Sequence, residues 1–166
     1  MKRKLIILLS IFTYVIITIP IFLFSTGCII DMDKSPGIVN RRKRNYEYFS
    51  NDNNYVKLSG VVIEIGEMFI NERAGYSILD VKIQCNDIKE YYPDYEDEFY
   101  YEVCTSKMID LFPGDEIEFI VAKYKKWYSL NYCPLVAEIE KEGEIILDIS
   151  EGKDLLLKYV TDIHYK

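Results

Sequence analysis

The chain opens on an unbroken apolar stretch. Leu5 to Phe24 run for 20 residues without a charge, behind Lys2-Arg3-Lys4 and ahead of Ser25-Thr26-Gly27-Cys28. At about 1.5 Å per residue a helix of that length covers roughly 30 Å, the thickness of a bilayer core. A basic head, an apolar run and small residues at its end are the layout of an export signal. Residues 1–27 are therefore expected to be a signal peptide or membrane anchor. A buried core helix fits poorly, because twenty residues with no charged face do not suit a domain this small. From Asp31 to Asn54 the apolar periodicity fades. Pro36-Gly37 marks a turn and Asn51-Asp52-Asn53-Asn54 a polar break, so residues 28–54 are expected to be a flexible basic linker.

Alternation takes over from Tyr55, where a domain covering residues 55–166 is expected to begin. Val56, Leu58, Val61, Val62, Ile63 and Ile65 start a first strand, and Gly60 within it predicts a bulge or bend. Gly75 to Cys85 is a second strand, joined to the first through Asn71-Glu72-Arg73-Ala74-Gly75 as a hairpin. Asn86 to Glu98, with Pro93 and its crowded acids, reads as a loop. Phe99 to Cys104 is a third strand, with Phe99, Tyr101 and Val103 on one face. Thr105 to Phe112 carries Met108, Ile109, Leu111 and Phe112 and fits one or two helical turns. After the turn Pro113-Gly114-Asp115, Glu116 to Tyr124 alternates as a fourth strand. Leu135 to Glu140 is the fifth, with Leu135, Ala137 and Ile139 set against Val136, Glu138 and Glu140; Ile145 to Leu147 is a candidate extension of the sheet. Ser150 is placed to cap a last helix, whose Leu155, Leu156, Tyr159, Val160 and Ile163 make one apolar stripe.

Two segments carry resemblances. Thr26-Gly27-Cys28 resembles the end of a bacterial lipoprotein signal, the lipobox, which implies cleavage before Cys28 and a lipid on its sulfur. Ser25 departs from the aliphatic residue usual there, and the apolar run exceeds the roughly 7–15 residues of a cleaved signal. An uncleaved single-pass anchor is the alternative. Tyr55–Leu147 resembles small OB-fold domains of bacterial envelope and nucleic-acid-binding proteins. The resemblance rests on Lys57-Leu58-Ser59-Gly60-Val61-Val62, on Leu111-Phe112-Pro113-Gly114-Asp115-Glu116-Ile117 and on the order of elements. It implies a mainly β fold: a small five-stranded antiparallel OB-like barrel, with a short helix between strands three and four and a C-terminal helix. Another small antiparallel barrel or sandwich is the competing architecture.

Composition sharpens this picture. Fifteen tyrosines favour half-buried pleated surfaces. The net charge of −7 conceals a split, because from Tyr55 onward 12 Lys+Arg face 23 Asp+Glu. A surface that acidic repels phosphate backbones, so nucleic acid is an unfavoured partner. Arg41-Arg42-Lys43-Arg44 stands apart as a basic cluster, read either as solvated linker or as a contact for anionic headgroups. It also bears on orientation. The basic head Lys2-Arg3-Lys4 argues for an external domain, whereas the second cluster lies near enough to the apolar run to count the other way if the anchor stays uncleaved.

Little catalytic chemistry is in view. The single histidine, His164, stands three residues after Thr161 with no nucleophile pattern around it. Phosphate-cradling glycine motifs and close metal-ligand spacings do not occur in the sequence. No enzyme activity, cofactor or metal is expected; a hydrolase built on carboxylates such as Glu64, Glu67 and Asp80 is a remote alternative. Cys85 and Cys104 end strands two and three, so either a disulfide joins them or Cys85, Cys104 and Cys133 are thiols. Asp94, Glu96, Asp97 and Glu98 form an acidic loop able to offer oxygen ligands to a hard cation, although without EF-hand spacing. Tyr124, Lys125, Lys126, Trp127 and Tyr128 follow strand four, where an OB-fold borders its binding face, and resemble a stacking platform for bases. Capping of the barrel core is the plainer role for them. The expectation is a membrane-tethered binding module with an envelope protein or other envelope ligand as partner. A single-strand nucleic-acid binder is the alternative.

Overall fold

The computed structural model describes residues 36–94, 96–123, 125 and 133–162. The chain divides between Val39 and Asn40, and the unit described below is Asn40–Lys166. The apolar run, Cys28 and His164 lie outside the described residues. Among those that are described, no helix is long and apolar enough to cross a membrane.

Part of the stretch expected to be linker, from Pro36 on, is helical. Helix α1 spans Pro36–Phe49, with Asn45, Tyr48 and Phe49 buried. Proline suits a first helical position, and Arg and Lys are good helix formers, so the stretch Pro36-Gly37 read as a turn opens a helix. Its last turn is what anchors it. Phe49 is fully buried, and the Tyr48 hydroxyl donates to the Lys123 carbonyl at 2.7 Å. The polar break at Asn51 stops the helix through side-chain bonds. Asn51 Oδ1 accepts from the Asn53 N–H at 3.0 Å, and Asn54 Nδ2 donates to the Tyr48 carbonyl at 2.8 Å.

Six strands follow: β1 Tyr55–Asn71, β2 Tyr76–Gln84, β3 Glu98–Thr105, β4 Glu116–Ala122, β5 Leu135–Lys141 and β6 Glu144–Leu147. They lie in the order β3-β2-β1-β4-β5-β6. All neighbours are antiparallel, and a parallel pairing of Glu102–Val103 with Leu135–Val136 joins β3 to β5, so the hydrogen bonds of the first five strands form a ring. The long strand β1 makes the ring achievable. Tyr55–Val61 pairs with β4, and Val61–Asn71 pairs with β2. Gly60 stands at the changeover, where a Cβ would lie 2.6 Å from Ile83 Cγ2 and 2.7 Å from the Gln84 carbonyl. The register then shifts between Val62 and Glu64, the bend that glycine and bulge together permit. The Pro113-Gly114-Asp115 turn locks this bend. The Gly114 N–H donates to the Val62 carbonyl at 2.7 Å, and the Val62 N–H to the Asp115 carbonyl at 2.9 Å.

Several expected elements move. No helix forms between β3 and β4; Ser106 to Asp115 is irregular. The short helix is α2, Ile88–Tyr91, between β2 and β3, inside the segment read as a loop. Ile88 and Tyr92 are buried in the core there, and the Tyr92 hydroxyl donates to the Ala122 carbonyl. Strand β5 does not keep a simple alternation. The register shifts against β4 between Ile120 and Val121, so Val136 and Ile139 face the inner core while Leu135 and Ala137 face outward. Helix α3, Ile149–Thr161, is capped by Asp148, whose carboxylate accepts from the Ser150 N–H at 2.9 Å; Ser150 lies within the helix.

Two cores result. The inner one is lined by alternate residues of the ring, among them Leu58, Val81, Tyr101, Phe119 and Ile139. The outer one seats α1 and α3 on the other side of the strands, through Phe49, Leu155, Leu156, Tyr159 and Val160 against Ile78, Cys104, Leu135 and Ala137. Cys85 belongs to the inner core and Cys104 to the outer. In the antiparallel pair Cys104 stands opposite Ile78, at the far end of β2 from Cys85. The disulfide is thereby excluded, and Cys85 and Cys104 are buried thiols. Burial pushes the Cys85 and Cys104 thiols up, so neither is activated as a nucleophile.

Candidate ligand groove

An open groove of about 820 Å³ lies where β1 changes partners. Its floor is backbone and small residues, Ser59-Gly60-Val61, paired with Glu116-Ile117-Glu118 of β4. Gln84, Asn86 and Asp87 form one wall as β2 ends, and Glu140, Glu142 and Gly143 form the other at the β5–β6 hairpin. That hairpin turn is built from two left-handed residues, Glu142 at φ 54° and Gly143 at φ 82°. Asn-Gly or Gly-Gly ordinarily occupies such a turn. A glutamate there is a costly choice for stability, and it sets a carboxylate on the groove rim.

The groove is acidic, with Asp87, Glu116, Glu118, Glu140 and Glu142 in its lining. Lys57, next to the floor, bridges Glu118 at 2.5 Å and Glu140 at 3.1 Å. Hydrogen bonds to Glu118 and then Glu140 push its ammonium up to about 12, so it stays charged across the physiological range. Behind the groove, Lys141 pairs with Asp115 at 2.8 Å and stands 5.3 Å from the Phe112 ring centroid. Asp115 also accepts from the Phe112 N–H at 2.8 Å. Lys141, and then that N–H, hold the Asp115 carboxyl below the usual range.

The residues singled out from sequence do not converge on this groove. Of the aromatic-basic segment, Tyr124, Lys126, Trp127 and Tyr128 lie outside the described residues. Lys125 is described, and its Nζ stands 5.8 Å from the Tyr48 ring centroid on α1. The acidic loop is dispersed by ion pairs. Asp97 pairs with Lys89 at 2.9 Å and Glu98 with Lys82 at 3.0 Å, while Asp94 and Glu96 are exposed. Among the described residues no three carboxylate, cysteine or histidine side chains gather as a metal site.

Glu64, Glu67 and Asp80 do come near one another, on the outer surface of the β1–β2 hairpin and outside the groove. Burial and then the charge of Glu67 push the Asp80 carboxyl up. Glu64 accepts from the Tyr100 hydroxyl at 3.0 Å. These side chains are not part of the groove lining. The groove itself was not foreseen from sequence. Its lining comes from separate stretches of chain, and only Gly60 carried a local signal, the predicted bend. No protein-family model matches the sequence, and neither a curated protein nor a solved structure does.

Proposed function

We propose that the chain is a membrane-tethered, non-enzymatic binding module of the bacterial cell envelope. In this reading an OB-like barrel presents the acidic groove to a protein or other envelope ligand. The barrel reading draws on the ring of pairings among β1–β5, in which β1 serves both β2 and β4 and β3 meets β5. Such a closure removes sheet edges, as small Greek-key barrels do. The sixth strand and α3 are additions to that plan. The tether reading draws on the apolar run and Cys28, by lipidation after cleavage or by an uncleaved single-pass helix.

The observation that carries the binding role is the groove rim. A glutamate held at φ 54° beside an acidic groove keeps a strained residue where glycine would relax the turn. The five carboxylates of the lining favour a protein or envelope ligand over nucleic acid, whose phosphates they repel. Photo-crosslinkers placed at Ser59 or Glu142 of the tethered protein in cells are expected to capture a partner that a crosslinker at Lys89 misses. Equal yields from all three positions would reject the groove as the ligand face. An oligonucleotide gel shift at low salt is expected to show no complex; a salt-sensitive complex would establish the nucleic-acid alternative.

A further inference from the structure

We propose that the end of the domain opposite the groove is a docking face for anionic phospholipid headgroups, a role that rests on the membrane-tether reading. Three elements meet at this end. Asn45 Nδ2 of α1 donates at 2.7 Å to the carbonyl of Val160, in the last turn of α3. Asn71 and Tyr76, flanking the β1–β2 turn, donate to Asp162 just beyond α3, at 3.5 and 3.4 Å. Helix α1, the end of α3 and the hairpin tip therefore share one surface.

That surface pairs apolar side chains with cations. At the hairpin tip Phe69, paired with Ile78 on the outer face, is 51% exposed, and Met68 and Ile70, on the opposite face of the strand, are 38% and 61% exposed. Tyr46 on α1 is 56% exposed. Arg41, Lys43, Arg44 and Arg73 are exposed around them. The local acids are Glu47, Glu67, Glu72 and Asp162; Lys43 pairs with Glu47 at 3.8 Å, and Asp162 accepts the two bonds above. From Tyr55 onward 23 Asp+Glu face 12 Lys+Arg, so this cluster of cations stands out against an acidic remainder. Apolar and aromatic side chains ringed by Arg and Lys are the composition of a protein surface that settles into a headgroup layer.

Two further facts select a bilayer as the occupant. Only residues 25–39 separate the apolar run from Asn40, so a tethered domain meets the membrane at high effective concentration and weak docking suffices. Strand β2 starts at this face, with Tyr76, and ends at the groove, with Gln84. At about 3.4 Å per residue the two lie roughly 25 Å apart, and docking at one end turns the groove away from the lipid.

The test places a reporter at the tip of the full-length chain. Phe69→Trp is combined with Trp127→Phe, which removes the single native tryptophan. The protein is reconstituted into vesicles of phosphatidylcholine alone, or with a third of the lipid replaced by phosphatidylglycerol. Emission is expected to move to shorter wavelength only with the anionic lipid, and to return in high salt. Arg41→Gln, Lys43→Gln and Arg44→Gln together are expected to weaken docking about a hundredfold, at roughly fivefold per cation. Amide exchange of the unsubstituted protein, slowed over residues 41–47 and 68–74 by anionic lipid, gives the same reading without any variant. Identical emission and exchange in both lipids overturn the proposal. So does a blue shift already present in neutral vesicles, which would mean that the tip is covered without any anionic headgroup. Flotation with neutral vesicles reads the anchor separately, so failure of the tether and failure of docking are told apart.

Discussion

Replacing Gly152 with alanine sets helix propensity against packing. Gly152 lies in the first turns of α3, directly above β5. A Cβ built there stands 2.0 Å from the Ala137 carbonyl oxygen and 2.7 Å from its carbon. A carbon–oxygen contact needs about 3.3 Å, so this part of α3 must lift by about 1 Å or more. The opposing atoms are backbone, and no rotamer change relieves them. Leu155 and Leu156, buried on the same helix, lose part of their seat in the outer core. Propensity alone favours alanine by about 1 kcal/mol. Overpacking of a tight core costs about 1–3 kcal/mol, and an unyielding backbone contact belongs at or above the upper end. The net expectation is a loss of about 2 kcal/mol. For a domain of this size that lowers the midpoint of thermal unfolding by roughly 6–10 °C. Circular dichroism melts of the full chain in detergent measure it. Gly37→Ala is the control, because a Cβ there meets nothing within 4 Å; it is expected to be neutral or slightly stabilising. A Gly152→Ala midpoint equal to or above the wild type would refute backbone seating of α3 on β5.

Other outcomes follow from single side chains. The Tyr101 hydroxyl is buried against the Cys85 thiol, a weak partner, while its ring packs edge-on to Phe119 at 5.3 Å. Tyr101→Phe is therefore expected to be neutral or to stabilise by up to about 1 kcal/mol in urea unfolding, and a loss above about 1 kcal/mol would reveal a stronger partner. Glu142→Asn relaxes the left-handed residue and is expected to add a few tenths to about 1 kcal/mol while reducing crosslinked partner. Unchanged capture by this variant would remove the rim from the ligand face. The carboxyls of Asp115, lowered by Lys141, and Asp148, lowered by Ser150, ionise more readily in the fold than in the unfolded chain. Their stabilisation is complete above the unfolded value of about 3.9 and is lost as pH falls through the folded values. Asp115→Asn should flatten the acid limb of a stability–pH profile, and an unaltered limb would argue against the ion pair.

Where burial falls on one face of a strand, the pattern was legible. In β4 Ile117, Phe119 and Val121 turn inward while Glu116 and Glu118 turn out, and in β3 Tyr101 and Val103 do the same. Gly60 announced the bend of β1. Where a strand is covered on both faces, alternation lost its meaning. Leu135, Val136, Ala137 and Ile139 of β5 are all buried, because α3 covers the outside and a register shift reassigns the inside. Helix α2 spans Ile88–Tyr91, too short to show a period, and its anchor Tyr92 looked like one more loop tyrosine. Helix α1 is polar along most of its length, and its buried residues, Asn45, Tyr48 and Phe49, show no period in the sequence. The Cys85–Cys104 bridge foundered on direction, since the C-terminal ends of two antiparallel neighbours lie at opposite edges of the pair. Tertiary contact, not local pattern, also assembles the groove, and a single sequence does not display it.

The central proposal is that the domain stands outside the cell on a membrane tether. Protease added to intact bacteria producing the full chain tests this most directly, with a cytoplasmic protein as the control for lysis. The account predicts that the domain is degraded while the control survives. Full protection of the domain in cells whose surface proteins are digested would contradict it.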